Sequence, residues 1–226
     1  MSFSDQDEWL PFADRSVAGR ILGSKLLPYS GRKDVAVLGL PRGGVPVAFE
    51  VARVLKVPLD VLVVRKLGTP WEKELAMGAI ASGGVEILDP AMVKESGVPN
   101  EVVQEVATTE RKELERQERL YRGDRRPLSL EGKTVILVDD GIATGSCILA
   151  AVAAVRRQAA ARVVVAVPVA AAAAVGTLRR EADEVIIVAE PEEFLAVSEW
   201  YENFNQISDD EVRRLLASSE GLPRAA

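Results

Sequence analysis

The feature that most constrains the fold is the segment at 133–147, which reads KTVILVDDGIATGSC. Residues 135–138 are all aliphatic and lack the alternation of a half-exposed strand, which predicts a strand buried on both faces of a parallel sheet. Two carboxylates, Asp139 and Asp140, follow directly. A short polar turn comes next, and residues 146–160 are then rich in Ala and Val with no helix breaker. The segment therefore predicts a strand, a polar turn and a helix.

The predicted turn has the composition of an anion site. At the start of a helix the backbone N–H groups lack partners and the helix dipole is positive, so such a turn can bind a phosphate. The hydroxyls of Thr144 and Ser146 can add hydrogen bonds. Two acidic groups beside an anion site suit a sugar diol or a bound magnesium ion.

Three other interpretations of this segment compete with a ligand site. A buried strand with a capped helix could produce the turn alone, but a structural turn gives no reason for adjacent carboxylates at a strand end. A P-loop is excluded because no lysine follows the glycines. The acidic pair of a response regulator stays open, although that pair normally lies on the first strand.

The segment resembles the signature of the type I phosphoribosyltransferases, in which a buried strand, an acidic pair and three residues precede Thr-Gly-x-Ser/Thr. Only the last position differs, because Cys147 stands where the family usually has a hydroxyl. The resemblance implies that Asp139 and Asp140 hold the ribose hydroxyls and, through them or through water, Mg²⁺. It also implies that the 5-phosphate of 5-phosphoribosyl 1-diphosphate is held by Gly141, Ile142, Ala143, Thr144, Gly145, Ser146 and Cys147.

A second strand, turn and helix lie upstream. Residues 34–40 predict a buried strand, and a helix is expected at about 45–56. The turn between them carries Arg42, Gly43 and Gly44, which suit an anion with more charge than one phosphate, although a purely structural turn is also open. In the resembled family a turn at this place holds the pyrophosphate, often after a cis peptide, here Pro41–Arg42. A trans turn shaped by the glycines alone is the alternative.

Two cations follow a predicted third strand at 59–64. Ligands of open α/β sheets collect at the carboxyl ends of strands, so we expect Arg65 or Lys66 to bind the diphosphate. A solvated charge pair is the alternative. In the next loop, Trp71 and Glu74 fit either a mobile cover or plain surface packing.

Two segments depart from the alternation of strands and helices. Residues 101–122 are rich in Glu and Arg, with Val102, Val106, Leu114 and Leu120 loosely spaced, and predict a long solvated helix that lies over the core, within a charged insert at about 90–127. The basic end of this helix is expected to be solvated, with an approach to phosphates or to a partner subunit as the alternative. In the resembled family a small hood beside the sheet receives the nucleobase, and the tail at about 190–226 would form it; Trp200 and Tyr201 in this tail either stack on the base or pack in the core.

Composition excludes several classes of function. The chain has 226 residues, a net charge of −6, a single Cys and no His, so it offers no internal disulfide, no cysteine zinc cluster and no histidine triad. The acidic balance argues against nucleic acid or membrane as a general partner. Residues 2–8 are polar and no apolar run approaches about 20 residues, so we expect neither a signal peptide nor a membrane span, and a cytoplasmic protein.

These segments predict one α/β domain over 1–226. Further strands are expected at 162–169 and 184–188, and an Ala-rich helix at 170–180. Together with the resemblance they predict a doubly wound, mainly parallel five-stranded sheet with a helical insert and a C-terminal hood. Ser208 is expected to cap a last helix at 209–217.

The resemblance implies an enzyme of nucleotide metabolism that transfers ribosyl 5-phosphate from the diphosphate to a nitrogen base with Mg²⁺, through Asp139, Asp140, Arg42 and Lys66. A regulator that senses the diphosphate or a nucleotide is the alternative, and a hydrolase on the same scaffold is a third class. The base stays open. Relatives acting on 6-oxopurines often have Asp where this chain has Ala143, and DDGIATG is closer to the adenine branch. A homodimer also stays open.

Overall fold

The structure is a computed structural model that describes residues 11–72, 75–123 and 125–219. Glu74 and residues 2–8, on which sequence predictions fell, lie outside the described residues. The helices in these ranges are α1 Arg15–Lys25, α2 Gly44–Leu55, α3 Pro90–Ser96, α4 Asn100–Arg122, α5 Ser146–Arg157, α6 Ala172–Glu181 and α7 Asp209–Ser218. The strands are β1 Val35–Gly39, β2 Leu59–Val61, β3 Val64–Gly68, β4 Ala76–Ala81, β5 Val85–Leu88, β6 Thr134–Val138, β7 Arg162–Val169 and β8 Glu184–Ala189.

The central sheet has five parallel strands in the order β2, β1, β6, β7, β8. The chain first runs outward from β1 to β2 and later resumes with β6 on the other side of β1. Because the direction of winding reverses between β1 and β6, a crevice opens at the carboxyl ends of these two strands, where open α/β sheets bind their ligands. The doubly wound prediction is confirmed, and the reversal brings the two predicted turns to the same edge.

Helices cover both faces of this sheet. Val37 and Ile136 face the layer that contains α1 and α2, whereas Leu38 and Leu137 face the layer that contains α5 and α6. All five residues of β1 and all five of β6 are buried. This is why both strands are unbroken apolar runs in the sequence.

A second, antiparallel sheet contains β3, β4 and β5, and it corrects the predicted strand at 59–64. The last hydrogen bond to β1 comes from Leu62 N, which donates to Gly39 O at 3.1 Å. Val63 then pairs with Ser82 of the neighbouring hairpin, and Val64 begins β3. The apolar run is continuous across this change of partner, so the sequence shows no boundary there. Strand β5 was not predicted either.

The charged insert folds as α3 and α4, and α4 is not solvated all round. It buries Val103, Ala107, Leu114 and Tyr121, which lie four or seven residues apart and form one stripe against the core. The prediction of a solvated basic end is wrong for Arg122. Its side chain is 9% exposed and donates to Asp60 at 3.1 Å and to Glu118 at 2.7 Å.

The hood joins the start of the described chain. Phe12 N donates to Trp200 O at 2.9 Å, and Glu202 N donates to Phe12 O at 2.8 Å. As predicted, Ser208 caps α7, because its hydroxyl accepts from Glu211 N at 3.1 Å. Across the described residues, no helix has both the length and the apolar character needed to cross a bilayer.

Candidate active site

The turns after β1 and β6 pack directly against each other. Leu40 N donates to Val138 O at 2.9 Å, which continues the pairing of the strands into the turns. A Cβ atom on Gly43 would lie 1.9 Å from Asp140 Oδ2, and one on Gly44 would lie 2.7 Å from Val138 O. No real Cβ approaches so closely, so the glycines are required by the contact between this turn and the acidic pair. The Pro41–Arg42 peptide bond is cis.

The two carboxylates at the end of β6 lie in an environment that disfavours their charge. Asp139 Oδ1 accepts from Asp140 N at 2.9 Å. Burial raises the pKa of Asp139 well above its ordinary value, and the neighbouring charge of Asp140 raises this pKa further. Burial also raises the pKa of Asp140, against the opposing effect of Arg15. A cation or a set of hydroxyl donors that reaches this pair would therefore be bound favourably.

Arg15, the first residue of α1, holds Asp140 in place. Its Nε donates to Asp140 Oδ2 at 2.8 Å, and its NH1 group donates to Asn205 O at 2.9 Å. The guanidinium carbon lies 3.8 Å from the ring centroid of Phe204. Arg15 was not predicted as a site residue, because an arginine at the start of a helix gives no signal in the sequence that it is buried.

The hood contacts the acidic pair through Tyr201, and the ring of this residue is enclosed in the core. Tyr201 is 5% exposed, its ring packs between Phe12 and Phe204, and its hydroxyl donates to Asp140 O at 2.5 Å. Because neighbouring rings cover the Tyr201 ring, a nucleobase has no open face of this ring on which to stack. Trp200 is half-buried against the same core, and its contact with a base stays a prediction.

The turn at 141–145 is held by a hydrogen bond to β7 and by close packing against the hood. Ile142 N donates to Val169 O at 2.9 Å, and a Cβ on Gly141 would lie 2.5 Å from a methyl group of Val197. Gly145 has a φ of +81° and sits at the N-cap of α5, which a residue with a Cβ would rarely do. The first N–H groups of α5 thus point out of the turn without intrahelical acceptors.

The hydroxyls of this turn are exposed beside those N–H groups. Thr144 Oγ1 and Ser146 Oγ lie 3.2 Å apart, which is a hydrogen-bond distance. Cys147 is half-buried and packs against the apolar layer of α5 and α6, and it forms no disulfide. The arrangement has the donors that a phosphate needs.

The three cations predicted to bind the diphosphate have different surroundings in the structure. Arg42 is exposed, with its NH1 group 3.9 Å from Asp209 Oδ1. Arg65 lies in β3 and pairs with Glu110 of α4 at 2.5 Å. Lys66 lines a cavity of about 290 Å³ together with Ser146, so it faces the start of α5. Of the two cations in β3, Lys66 is the one that shares a cavity with a residue of α5.

Comparison with known proteins decides the family. The family model of the phosphoribosyl transferase domain matches residues 17–203, which include both turns and the acidic pair. The chain belongs to the phosphoribosyl transferase family. This agrees with the five-stranded parallel sheet and with the crevice at its topological reversal.

Relatives in this family support the same conclusion. The chain is 47% identical over 205 residues to a Mycobacterium tuberculosis H37Rv protein named "Putative phosphoribosyl transferase Rv0571c". The match covers 91% of this chain and 46% of that relative, so the chain spans about half the length of the curated relatives that it matches.

Two solved structures share the fold. The crystal structure of TT1426 from Thermus thermophilus has a TM-score of 0.83 and 40% identity, and the match covers 94% of this chain and 100% of TT1426. The AQ2163 protein from Aquifex aeolicus has a TM-score of 0.50 and 12% identity, over 80% of this chain and 76% of that one. This second likeness concerns the fold alone.

Proposed function

We propose that this phosphoribosyl transferase domain moves ribosyl 5-phosphate from 5-phosphoribosyl 1-diphosphate to a nitrogen base and releases pyrophosphate. The observation that carries the proposal is the contact of the glycine turn at 43–44 with Asp139 and Asp140. It sets the glycine turn against the acidic pair, and the turn that begins α5 follows the same pair directly in the chain. A sugar with a phosphate at one end and a diphosphate at the other fits this order.

Each part of the substrate has a place in this arrangement. The ribose hydroxyls lie on Asp139 and Asp140, and the 5-phosphate binds the turn from Gly141 to Cys147. The pyrophosphate binds Arg42, Gly43 and Gly44, and Lys66, which lines a cavity together with Ser146, adds a cation near the start of α5. In this account Arg65 acts indirectly, because its ion pair with Glu110 ties β3 to the insert.

Mg²⁺ fits the acidic pair only as an ion that arrives with the substrate. Among residues 11–72, 75–123 and 125–219, no group of three or more His, Cys, Asp or Glu side chains could hold a metal. Mg²⁺ typically uses one or two carboxylates and takes its remaining ligands from water and substrate phosphates. Asp139 and Asp140 would hold it, directly or through ribose hydroxyls, and it would neutralise charge on the leaving pyrophosphate.

The protein's contribution to the transfer is electrostatic. As the bond between the anomeric carbon and the pyrophosphate oxygen breaks, its electron pair leaves with the pyrophosphate, and the lone pair of the base nitrogen forms the new bond. Negative charge grows at the glycine turn and positive charge on the ribose ring. Fixed N–H donors and Arg42 stabilise the first, and Asp139 and Asp140 stabilise the second. No covalent nucleophile is needed.

A screen of bases tests this proposal. The chain is incubated with Mg²⁺, labelled 5-phosphoribosyl 1-diphosphate and one base at a time, including adenine, guanine, hypoxanthine, uracil and orotate. We expect labelled nucleoside monophosphate and pyrophosphate to appear together with one of these bases. Pyrophosphate release at the same rate with no base would indicate a hydrolase, and tight binding with no turnover across the screen would indicate a regulator.

Replacing Arg15 by Gln is expected to lower kcat/KM of the transfer by about tenfold or more, since Asp140 loses the partner that fixes it. The guanidinium lowers the pKa of Asp140, so its removal should also move the acidic limb of the pH profile to higher pH. Arg20→Gln is the matched control, because Arg20 lies on the same helix and is half-exposed. Equal profiles for the two variants would contradict a positioning role for Arg15.

Replacing Cys147 by Thr is expected to tighten binding of the sugar diphosphate by about 0.5–1.5 kcal/mol, the net value of one hydrogen bond to the phosphate. Calorimetry with Mg²⁺ present measures the change. Unchanged affinity, with a thiol that bound ligand does not protect from alkylation, would mean that this side chain serves only the apolar layer that it packs against.

A further inference from the structure

A second concave surface lies between the carboxyl end of α4 and the helix α7. This open concavity has a volume of about 1010 Å³, at the upper end of the range for small-molecule sites. Its lining includes five arginines, which are Arg119, Arg122, Arg125, Arg213 and Arg214, and one carboxylate, that of Asp210. We call this surface the arginine groove. Such a concentration of positive charge is unexpected in a chain whose net charge is −6.

Most of this charge is not neutralised locally. Arg122 is the exception, because it is buried against Asp60 and Glu118. The N–H groups of Arg125 donate hydrogen bonds to main-chain oxygens, including Leu216 O at 2.9 Å. No carboxylate of the described residues pairs with Arg125.

The remaining arginines have weak partners or none. Arg214 has no ion pair within the described part of the chain. Arg213 lies 3.3 Å from Asp210, and Arg119 lies 3.9 Å from Glu115, in pairs that are largely exposed. Exposed pairs of this kind contribute little and exchange partners easily. The groove therefore leaves three guanidinium groups with weak partners or none, those of Arg119, Arg213 and Arg214, to meet a ligand.

We propose that the arginine groove binds the phosphate chain of an oligophosphate, such as a nucleoside triphosphate, at a site separate from the transfer site. Guanidinium groups donate paired N–H bonds that match phosphate oxygens, and several of them in one concavity suit a chain of phosphates better than a single one. The groove lies on a chain whose net charge is −6, which favours a small ligand over an extended nucleic acid.

The groove is distinct from the crevice at β1 and β6. None of the residues that line it belongs to the two turns or to the acidic pair. The point of closest connection is Asp209, which follows the groove residue Ser208. Asp209 accepts from Tyr121 at 2.8 Å and lies 3.9 Å from Arg42. The two sites thus adjoin through one carboxylate without sharing a binding residue.

The test compares three proteins in titrations with ATP, in the presence of EDTA: the wild type, Arg213→Gln/Arg214→Gln, and the control Arg179→Gln/Arg180→Gln. The control removes an equal charge from two exposed neighbours on α6. We expect the control to bind ATP as the wild type does and the groove variant to bind at least about tenfold more weakly. Equal affinity of all three proteins, or no binding to the wild type at millimolar ATP, would overturn the proposal.

Two further measurements complete the test. Inorganic tripolyphosphate replaces ATP in the same titrations: an equal loss in the groove variant shows recognition of the phosphates alone, and no loss with either probe overturns the proposal. Thermal midpoints that agree among the three proteins establish that the groove variant is folded. Should the variant be unstable, the affinity of the wild type must still fall steeply between about 50 and 300 mM KCl, and an affinity insensitive to salt would overturn the proposal.

Discussion

Replacing Asp139 by Asn is expected to weaken Mg²⁺-dependent binding of 5-phosphoribosyl 1-diphosphate by about a hundredfold while making the ligand-free protein more stable at pH 8. The loss of affinity follows because the amide offers no charge to the ribose, its hydroxyls or the ion. The gain in stability follows because burial and the charge of Asp140 disfavour the ionised carboxylate in the folded state. Asn keeps an oxygen that can accept from Asp140 N, so the local hydrogen bond survives.

The direction of the pH dependence follows from the raised pKa of Asp139. The folded state holds this proton more tightly than the unfolded chain, whose pKa is near 3.8. Wild-type stability is therefore lost as pH rises from about 4 through the raised pKa, and the variant is spared this loss. Urea unfolding should give equal stabilities for the two proteins below pH 4 and a more stable variant at pH 8.

Asp34→Asn is the matched control for this measurement. Arg32 lies 2.6 Å from Asp34 and lowers the pKa of that exposed carboxylate. Asp34 therefore stabilises the folded state above pH 4, and its replacement should destabilise the protein there, with affinity for the sugar diphosphate unchanged. A variant of Asp139 that behaved like this control would contradict the assignment of a ligand-binding carboxylate.

Replacing Gly43 by Ala is expected to lower kcat/KM by about a hundredfold or more and to destabilise the fold by about 1–3 kcal/mol. The new Cβ would lie 1.9 Å from Asp140 Oδ2, so the carboxylate must move away from Arg15 and from the ribose. Steady-state kinetics and urea unfolding measure the two effects.

Gly176→Ala is the control for that substitution. Gly176 lies in α6, and a Cβ there would meet nothing within 4 Å. Helix propensity alone then applies, and the control should be more stable than the wild type by about 0.5–1 kcal/mol with full activity. Full activity in the Gly43 variant as well would show that the two turns do not form one site.

The local parts of the site could be predicted from the sequence. The acidic pair and the glycine turns each follow a buried strand, and a strand, its turn and its helix are specified by consecutive residues. Their meeting could be predicted too, because the winding of an α/β sheet brings the carboxyl ends of β1 and β6 to one edge. For the same reason the five-stranded core was predicted nearly as it is found.

The supporting contacts could not be predicted, because they depend on distant segments. Arg15 and Asp140 are 125 positions apart, and Tyr201 and Asp140 are 61 apart. Nothing in a tail rich in aromatics distinguishes a ring that stacks on a ligand from one that is enclosed in the core. The boundary between β2 and β3 was not predicted, because the apolar residues around it fit either sheet equally well. Only the partner strands determine to which sheet each residue belongs.

In the proposed mode of binding, one sugar diphosphate spans both turns across the acidic pair. The most direct measurement is a crystal structure of the chain with Mg²⁺ and 5-phosphoribosyl 1-diphosphate. We predict the 5-phosphate at the N–H groups of 144–147, the ribose hydroxyls on Asp139 and Asp140, and the diphosphate at Gly43 and Gly44. A diphosphate bound away from the glycine turn, or a ribose that does not contact the two carboxylates, would contradict this account.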